Sequence, residues 1–253
     1  MILKRLFQRR PPVSGQPAVP PGTRVYAIGD IHGCDAQLER LHAAILADAA
    51  GAPPRRLLVY LGDYVDRGAG SRAVIEALVG PPPEGFERVF LKGNHEDFML
   101  QVLADKSVFL PWLMNGGDAT CRSYGIEPTA PPDGCEDLLG WLQGALEAAL
   151  PAAHRRFLER LALSHVEGDY FFCHAGIRPG VALEAQSEQD LLWMREPFLS
   201  AKAQHGKVVV HGHTPCSDPE RRANRIGVDT GACYGGRLTA VVLEAHEQRF
   251  LQD

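Results

Sequence analysis

The chain has 253 residues, of which 45% are hydrophobic and 23% are charged, and its formal net charge is −5. This composition is typical of a soluble globular protein, and its acidic balance argues against binding nucleic acid through a basic surface. No apolar run approaches the length of a membrane-spanning helix, and the basic N-terminus lacks the apolar core of a signal peptide. We therefore expect a cytoplasmic protein with no nucleic-acid partner and no stable membrane insertion.

Order is predicted to begin after a Pro-rich lead-in, residues 1–22, for which we expect no fixed fold. Apolar runs at 24–28, 57–61 and 88–91 predict three strands, and apolar residues at helical spacing follow each of them. Strands that alternate with helices favour parallel pairing, with helices over the faces of the sheet. The sequence therefore predicts an α/β fold, with residues 23–253 as a single domain.

The middle of the chain, residues 106–165, has a different character. Its apolar residues favour helices, which the Asn115-Gly-Gly117 turn and a Pro-rich stretch interrupt. We interpret this region as a mainly helical insertion that shapes a rim. Further short strands are predicted beyond it, at 170–173, 207–210, 226–229 and 238–244. The last two are joined through glycines, which favours an antiparallel hairpin between them.

Polar side chains follow five of the predicted strands at their carboxyl ends, where open α/β sheets bind their ligands. They are Asp30 and His32, Asp63, Asn94 and His95, His174, and His211 and His213. Histidine, carboxylate and an amide oxygen are the ligand set of divalent manganese, iron or zinc. One histidine after a strand is more often a packed core residue than a ligand, but five such strand ends together favour a metal centre.

The densest cluster follows the second strand, where Asp63, Asp66 and Arg67 stand close together in the sequence. Unpaired buried charge is expensive, so this arrangement predicts a cation for the carboxylates and an anion for the arginine. An Asp-rich turn closed by a local ion pair explains the same stretch equally well when it is considered alone. The other strand ends favour the ligand site.

Three sequence blocks carry a family resemblance: Gly29-Asp-Ile-His-Gly33, Gly62-Asp-Tyr-Val-Asp-Arg-Gly68 and Gly93-Asn-His-Glu96, in this order. Together with the later His174-Ala-Gly176 and Gly212-His213, they resemble the signature blocks of the phosphoprotein phosphatase branch of the calcineurin-like metallophosphoesterases. Within that branch, the chain is most similar to the bacterial and phage serine/threonine protein phosphatases, over about residues 25–243. The resemblance implies an α/β fold built as a four-layer α/β/β/α sandwich with two mixed β-sheets.

The resemblance also implies a cofactor, namely two divalent metal ions that share one carboxylate. Mn²⁺ is the expected ion, with Fe or Zn as alternatives. The ligands would be Asp30, His32 and Asp63 for one ion, and Asp63, Asn94, His174 and His213 for the other. Water held between two cations loses a proton near neutral pH, so the resulting hydroxide would attack phosphorus directly and no Ser or Cys would form a covalent intermediate.

Four further residues would serve catalysis according to the same resemblance. Arg67 and Arg195 would hold the phosphate oxygens, since a planar guanidinium fork matches their geometry. His95, oriented by Asp66, would protonate the leaving oxygen as the general acid.

Two positions depart from many relatives. Lys92 stands where they have Arg, so the charge is kept but the fork is lost. His211 stands where eukaryotic relatives often have Arg, and in the wider superfamily a histidine there is a metal ligand. We expect His213 to be the ligand here, because the run Gly212-His213-Thr214 fits the relatives.

The leading hypothesis is a hydrolase that acts on a phosphorylated protein or peptide, at serine or threonine and also at tyrosine. The alternative is a dinucleoside polyphosphate hydrolase on the same scaffold. The symmetrical bacterial form of that enzyme typically has Gln in place of His32 and Asn in place of Asp66, but asymmetrically cleaving relatives keep the phosphatase residues. A catalytically silent binding scaffold is the third hypothesis; it predicts a missing ligand, and every ligand position is filled.

Overall fold

Two five-stranded β-sheets form the centre of the fold in the computed structural model, which describes residues 15–253. The strands in these residues are β1 (Thr23–Ile28), β2 (Arg55–Tyr60), β3 (Phe86–Phe90), β4 (Ser164–Glu167), β5 (Tyr170–Cys173), β6 (Val208–His211), β7 (Glu220–Arg221), β8 (Arg225–Gly227), β9 (Thr239–Glu244) and β10 (Glu247–Gln252). The first sheet has the order β10-β9-β1-β2-β3, and the second has the order β4-β5-β6-β8-β7. Each sheet contains both parallel and antiparallel pairs.

Helices occupy the connections between these strands. Within residues 15–253 the α-helices are α1 (Asp35–Asp48), α2 (Ser71–Val79), α3 (Asn94–Ala104), α4 (Phe109–Trp112), α5 (Asp118–Ser123), α6 (Leu138–Ala149), α7 (Ala152–Glu159) and α8 (Glu188–Trp193). A π-helical turn, Leu113–Gly117, joins α4 to α5. None of the helices in this part of the chain combines the length and the apolar character needed to cross a membrane.

Residue alternation along β1 explains how the layers pack. Tyr26 and Ile28 are buried in the cluster that also contains the apolar faces of α1 and α2. Val25 and Ala27 point the other way, into a second cluster between the sheets, to which β5 contributes Phe172. A third cluster joins the outer face of the second sheet to α8. The four-layer α/β/β/α sandwich with two mixed sheets is therefore confirmed.

The hairpin predicted between 226–229 and 238–244 is wrong. β8 pairs with β6 and β7 in the second sheet, whereas β9 pairs with β1 and β10 in the first. The connection from 228 to 238 crosses between the sheets and is longer than a typical hairpin loop of about two to five residues. Gly231 and Gly235 adopt left-handed conformations on either side of a short 3₁₀ helix in this connection, and β9 forms its hairpin with β10 instead.

The region expected to be a helical insertion contains α4 to α7, but it ends before residue 165. β4 begins at Ser164 and is an edge strand of the second sheet. This strand was not predicted from the sequence, because its four residues, Ser-His-Val-Glu, form no apolar run. The short edge strand β7 was missed for the same reason.

The end of the lead-in, residues 15–22, packs against the domain before the first strand begins. Residues 15–22 contain no helix or strand, yet Val19 is 3% exposed and packs in the cluster between the sheets. The N–H of Val19 donates to the carbonyl of Ala245, and that of Ala18 donates to the carboxylate of Asp169. The expectation of no fixed fold is therefore corrected for the end of the lead-in, while its residues 1–14 lie outside the described residues.

Leu243 tests the layer between the sheets, because its side chain is fully buried there. We expect Leu243→Ala to lower the free energy of unfolding by about 2–5 kcal/mol, through lost burial and the remaining cavity. Leu46→Ala is the matched control, because Leu46 is 49% exposed on α1 and its change should stay within about 0.5 kcal/mol. Urea denaturation followed by circular dichroism measures both, and equal losses would contradict this packing.

Candidate metal centre

Five strands present polar residues at their carboxyl ends: β1, β2 and β3 in the first sheet, and β5 and β6 in the second. Because the two sheets pack face to face, these ends meet at one edge of the sandwich. The candidate ligands there are at most 8% exposed: Asp30, His32, Asp63, Asn94, His174 and His213. So many buried polar side chains require partners.

The loops that carry these residues have backbone conformations that are uncommon outside glycine. Five residues of the site have φ between 46° and 72°: His32, Asp63, Asp66, Arg67 and His213. Non-glycine residues in this left-handed region cost about 1–3 kcal/mol each and cluster at functional sites. In the described part of the chain, one other non-glycine residue has a positive φ, and it lies in the turn between β9 and β10. Backbone strain is therefore concentrated at the candidate site.

A buried glutamate holds the loop after β2 in its strained conformation. The carboxylate of Glu96 accepts hydrogen bonds of 2.7–3.2 Å from the backbone N–H groups of Asp63, Tyr64, Val65 and Gly93. Gly93 is the N-cap of α3 and Glu96 is its third residue, so the carboxylate of Glu96 also caps the N-terminus of α3 by accepting the N–H of Gly93. Glu96 was not assigned a role from the sequence, although the spacing within Gly93-Asn-His-Glu96 is the signal that could have predicted one.

The first cluster of potential ligands consists of His32, Asp63 and His95, whose ligand atoms lie within 4.8 Å of one another. Nδ1 of His32 donates to the carbonyl of Val65 at 2.8 Å, which leaves a lone pair on Nε2. That Nε2 lies 3.3 Å from Oδ2 of Asp63 and accepts from the guanidinium of Arg67 at 2.6 Å. The lone pair of His32 therefore already faces a cationic group.

The second cluster consists of Asp63, Asn94, His174 and His213. Nε2 of His174 lies 2.9 Å from Oδ1 of Asn94, 3.2 Å from Nδ1 of His213 and 3.4 Å from Oδ1 of Asp63. Nδ1 of His174 donates to the carbonyl of Leu61 at 3.0 Å, so a neutral ring has its lone pair on Nε2.

Burial makes both histidines of the second cluster neutral at pH 7. It lowers the pKa of His174, and together with the neighbouring His174 it lowers the pKa of His213 to about 3. The lone pair on Nε2 of His174 therefore faces the oxygens of Asn94 and Asp63, whichever nitrogen of His213 carries the proton. Acceptors that face acceptors need a cation between them, and this donor set suits a divalent metal ion.

Asp30 lies at the same edge of the sandwich but outside both clusters. Its two oxygens accept from the N–H of His213 at 3.1 and 3.0 Å, and a Cβ on Gly212 would collide with this carboxylate. Burial, and then the charges of Asp229 and Asp63, raise the pKa of Asp30 well above its usual range. Neighbouring buried carboxylates repel one another, and a bound cation relieves that repulsion. Asp229 was not predicted from the sequence, although it too follows a strand.

His95, a member of the first cluster, forms a buried pair with Asp66. Nδ1 of His95 donates to Oδ2 of Asp66 at 2.7 Å, while Nε2 lies 3.9 Å from Oδ2 of Asp63. Although burial lowers the pKa of His95, the charge of Asp63 and the hydrogen bond to Asp66 raise it above its ordinary value. The ring therefore keeps a proton on Nε2 to higher pH than an isolated histidine, which suits an acid catalyst.

The two arginines predicted to bind phosphate differ in how they meet the clusters. Arg67 reaches His32 directly, and its guanidinium carbon lies 5.5 Å from the ring centre of Tyr234. Arg195 is exposed, and its positive charge is one of the smaller causes, after burial, that lower the pKa of His213. Both charges therefore border the clusters.

The two residues that depart from the relatives point away from the clusters. Lys92 donates to Glu188 at 2.9 Å and lies 3.8 Å from Asp97, so its charge joins α3 to α8. His211 packs its ring against Phe198, with 5.1 Å between ring centres, in the cluster region on the outer face of the second sheet. Burial lowers the pKa of His211 to about 4, so this ring is a neutral packed histidine.

The fold and these clusters define a metal-dependent phosphoesterase. The family model of the calcineurin-like phosphoesterases matches residues 23–248, and the chain belongs to this family. It is 31% identical over 223 residues to the serine/threonine-protein phosphatase 1 of Salmonella typhimurium, covering 85% of this chain and 89% of that protein. It is 26% identical over 234 residues to the asymmetrical bis(5'-nucleosyl)-tetraphosphatase PrpE of Bacillus thuringiensis, covering 85% and 88%.

A solved structure supports the same fold. The cold-active protein-tyrosine phosphatase of a psychrophilic Shewanella species superposes with a TM-score of 0.57 at 16% identity. The superposition covers 93% of this chain and 83% of that one. The family membership agrees with the two clusters of potential ligands, since metallophosphoesterases use divalent metals.

His213→Gln and His211→Gln separate a ligand from a neighbouring packed histidine. We expect His213→Gln to lose one of two bound Mn²⁺ ions, because this ring belongs to the second cluster. His211 is similarly buried and lies two residues away, but we expect His211→Gln to keep both ions. Isothermal titration calorimetry with Mn²⁺ measures the stoichiometry. Loss of an ion from His211→Gln and its retention in His213→Gln would contradict the assignment.

Proposed function

We propose that the protein is a dinuclear-metal phosphomonoester hydrolase that acts on phosphoserine and phosphothreonine in proteins, with phosphotyrosine as a further substrate. The observation that carries the proposal is that Asp63 belongs to both clusters of potential ligands, which supports one carboxylate shared by two cations. The choice of a phosphoprotein substrate is supported by the 31% identity to the Salmonella phosphatase over most of both chains.

The proposed metal ligands combine residues of the two clusters with Asp30, which lies at the same edge of the sandwich. They are Asp30, His32 and Asp63 for one ion, and Asp63, Asn94, His174 and His213 for the other. When bound, the two ions supply an activated water and neutralise charge on the phosphate. Mn²⁺ is the proposed ion, because histidine, carboxylate and amide ligands suit it, as they also suit Fe and Zn.

The protein's own groups then act on the substrate. Arg67 and Arg195 hold the phosphate oxygens, and His95 passes the proton on its Nε2 to the leaving oxygen. Asp66 keeps the ring of His95 in the tautomer and orientation that this step needs, through the 2.7 Å hydrogen bond to Nδ1. Arg67 donates to the nitrogen of His32 that is proposed to bind metal, so this hydrogen bond would have to break for the metal to bind, which would release the guanidinium for the phosphate.

Hydrolysis of dinucleoside polyphosphates is the second candidate, and two observations favour it. The PrpE relative covers as much of this chain as the phosphatase does. Two partly exposed aromatic rings also border the clusters: Trp193 lies 6.2 Å from the ring of His213, and Tyr234 is 64% exposed beside Arg67. A nucleobase can stack on such rings.

Turnover measurements distinguish the two candidate substrate classes, phosphoproteins and dinucleoside polyphosphates. We expect kcat/KM in the presence of Mn²⁺ to be at least about tenfold higher for phosphoserine and phosphothreonine peptides than for diadenosine tetraphosphate. A phosphotyrosine peptide is measured beside them. The opposite ranking would replace the phosphoprotein proposal by the dinucleotide one. No metal-dependent turnover of any of the four substrates would contradict both.

His95→Asn tests the general acid. A poor leaving group needs protonation and a good one does not, so we expect kcat to fall by about 10²–10⁴-fold on a phosphothreonine peptide. The loss on p-nitrophenyl phosphate should be far smaller. Calorimetry with Mn²⁺ is the control, because the variant keeps every proposed ligand. Equal losses on the two substrates would mean that His95 does not donate the proton.

The expectations about the protein's cellular location and its partners stay predictions. A cytoplasmic location and the absence of a nucleic-acid partner are expected from the sequence alone. The acidic net charge of −5 is the observation behind the second of these.

A further inference from the structure

We infer that Trp112 and Thr120, in the helical region between α3 and β4, are positioning residues that orient the carboxylate of Asp66 toward His95. Nε1 of Trp112 donates to Oδ2 of Asp66 at 2.8 Å, and Oγ1 of Thr120 donates to Oδ1 at 2.7 Å. With Nδ1 of His95, three donors converge on this one carboxylate. The inference rests on the proposed function, in which His95 is the general acid.

The donors fix the plane of the carboxylate as well as its position. Trp112 and His95 share Oδ2, whereas Thr120 holds Oδ1, so rotating the carboxylate breaks hydrogen bonds on both oxygens. Asp66, Trp112 and Thr120 are fully buried and His95 is 2% exposed. Solvent therefore does not replace a lost donor easily, and the remaining groups must move. The ring of His95 follows the carboxylate, because Asp66 is its partner at Nδ1.

The same region also holds the backbone of the strained loop. The N–H of Asp66 lies 2.8 Å from Oγ1 of Thr120 and 3.0 Å from Oγ of Ser71. The N–H of Arg67 donates to the carbonyl of Gly116 at 3.0 Å. These contacts stabilise Asp66 and Arg67, whose φ angles of 72° and 70° are unfavourable for residues with a side chain.

The helical stretch is shaped for this contact. Trp112, Gly116 and Thr120 recur every four residues along α4, the π-helical turn and α5, and all three contact the loop that carries Asp66 and Arg67. Gly116 has φ of 101°, and a Cβ on it would lie 2.7 Å from Cγ of Arg67. A Cβ on Gly117 would collide with the indole of Trp112. Both glycines are therefore needed for the close approach, and this stretch supports the chemistry in addition to forming a rim.

Trp112→Phe keeps the ring and removes the N–H, and Thr120→Val keeps the shape and removes the hydroxyl. In the full-length Mn²⁺-loaded protein, we expect each to lower kcat on a phosphothreonine peptide about tenfold or more, with KM unchanged. The loss on p-nitrophenyl phosphate should stay below about threefold. Thr120→Ser should recover activity relative to Thr120→Val. Trp141 is half-buried in α6, so Trp141→Phe is the matched control and should lose no activity on either substrate.

A general loss of packing would predict a different outcome. Equal losses on both substrates in Trp112→Phe and Thr120→Val, or no loss in either, would overturn the inference. If the same substrate pair shows selective loss in His95→Asn, the proposed function stands while the inference fails. If His95→Asn is not selective either, the proposed general acid itself is wrong. Should Trp112→Phe not fold, the comparison of Thr120→Val with Thr120→Ser still decides.

An NMR measurement tests the contact without turnover. The chain has three tryptophans, and Trp112→Phe assigns the Nε1–H signal of Trp112 by its disappearance. Because a carboxylate is a stronger acceptor than an amide, we expect Asp66→Asn to shift this signal upfield while the signal of Trp141 stays in place. An unmoved Trp112 signal, or equal movement of both, would overturn the inference.

Discussion

The buried carboxylate of Asp63 is the constraint on which the rest of the site depends. It is 1% exposed and belongs to both clusters of potential ligands. It therefore needs a positive charge nearby, which the surrounding lone pairs do not supply. Much of the local architecture holds it in place. Glu96 accepts its backbone N–H, and the N–H of His95 donates to its side chain at 3.1 Å. Gly62 allows the loop after β2 to approach the N-terminus of α3 closely, since a Cβ on Gly62 would lie 2.5 Å from the backbone nitrogen of Gly93. A bound cation would supply the missing positive charge.

The packing of the two sheets sets the distances within the site. His174 follows a strand of the second sheet, yet its Nδ1 donates to the carbonyl of Leu61, which follows a strand of the first. These residues are 113 positions apart in the sequence, and the apolar cluster between the sheets determines their separation. Because this apolar cluster is close-packed and has low compressibility, it holds the residues of the second ligand cluster at fixed distances. The geometry of the candidate metal centre is therefore a property of the sandwich as a whole.

Local patterns in the sequence predicted what short segments determine. Apolar runs located β1, β2, β3, β5, β6, β8 and β9, and the polar residues after the first five of these strands marked the site. The hairpin of the last strands was wrong, because apolar character says that a strand is buried but not which sheet buries it. Short polar edge strands left no signal. Trp112 and Thr120 were missed as partners of Asp66, because they lie 46 and 54 residues away from it in the chain. Contacts at such separations depend on tertiary packing.

Asp63 and Asp66 show how burial and partners divide one short sequence into two chemical roles. Both carboxylates are buried, both have left-handed backbones, and three positions separate them. Asp66 is saturated by donors from His95, Trp112 and Thr120, so its charge is compensated within the protein. The oxygens of Asp63 face histidine nitrogens whose other nitrogens are committed to backbone carbonyls. A carboxylate that faces lone pairs attracts a cation, whereas one that faces donors orients its neighbours. The two aspartates are therefore not interchangeable, and the difference lies in the groups that surround them.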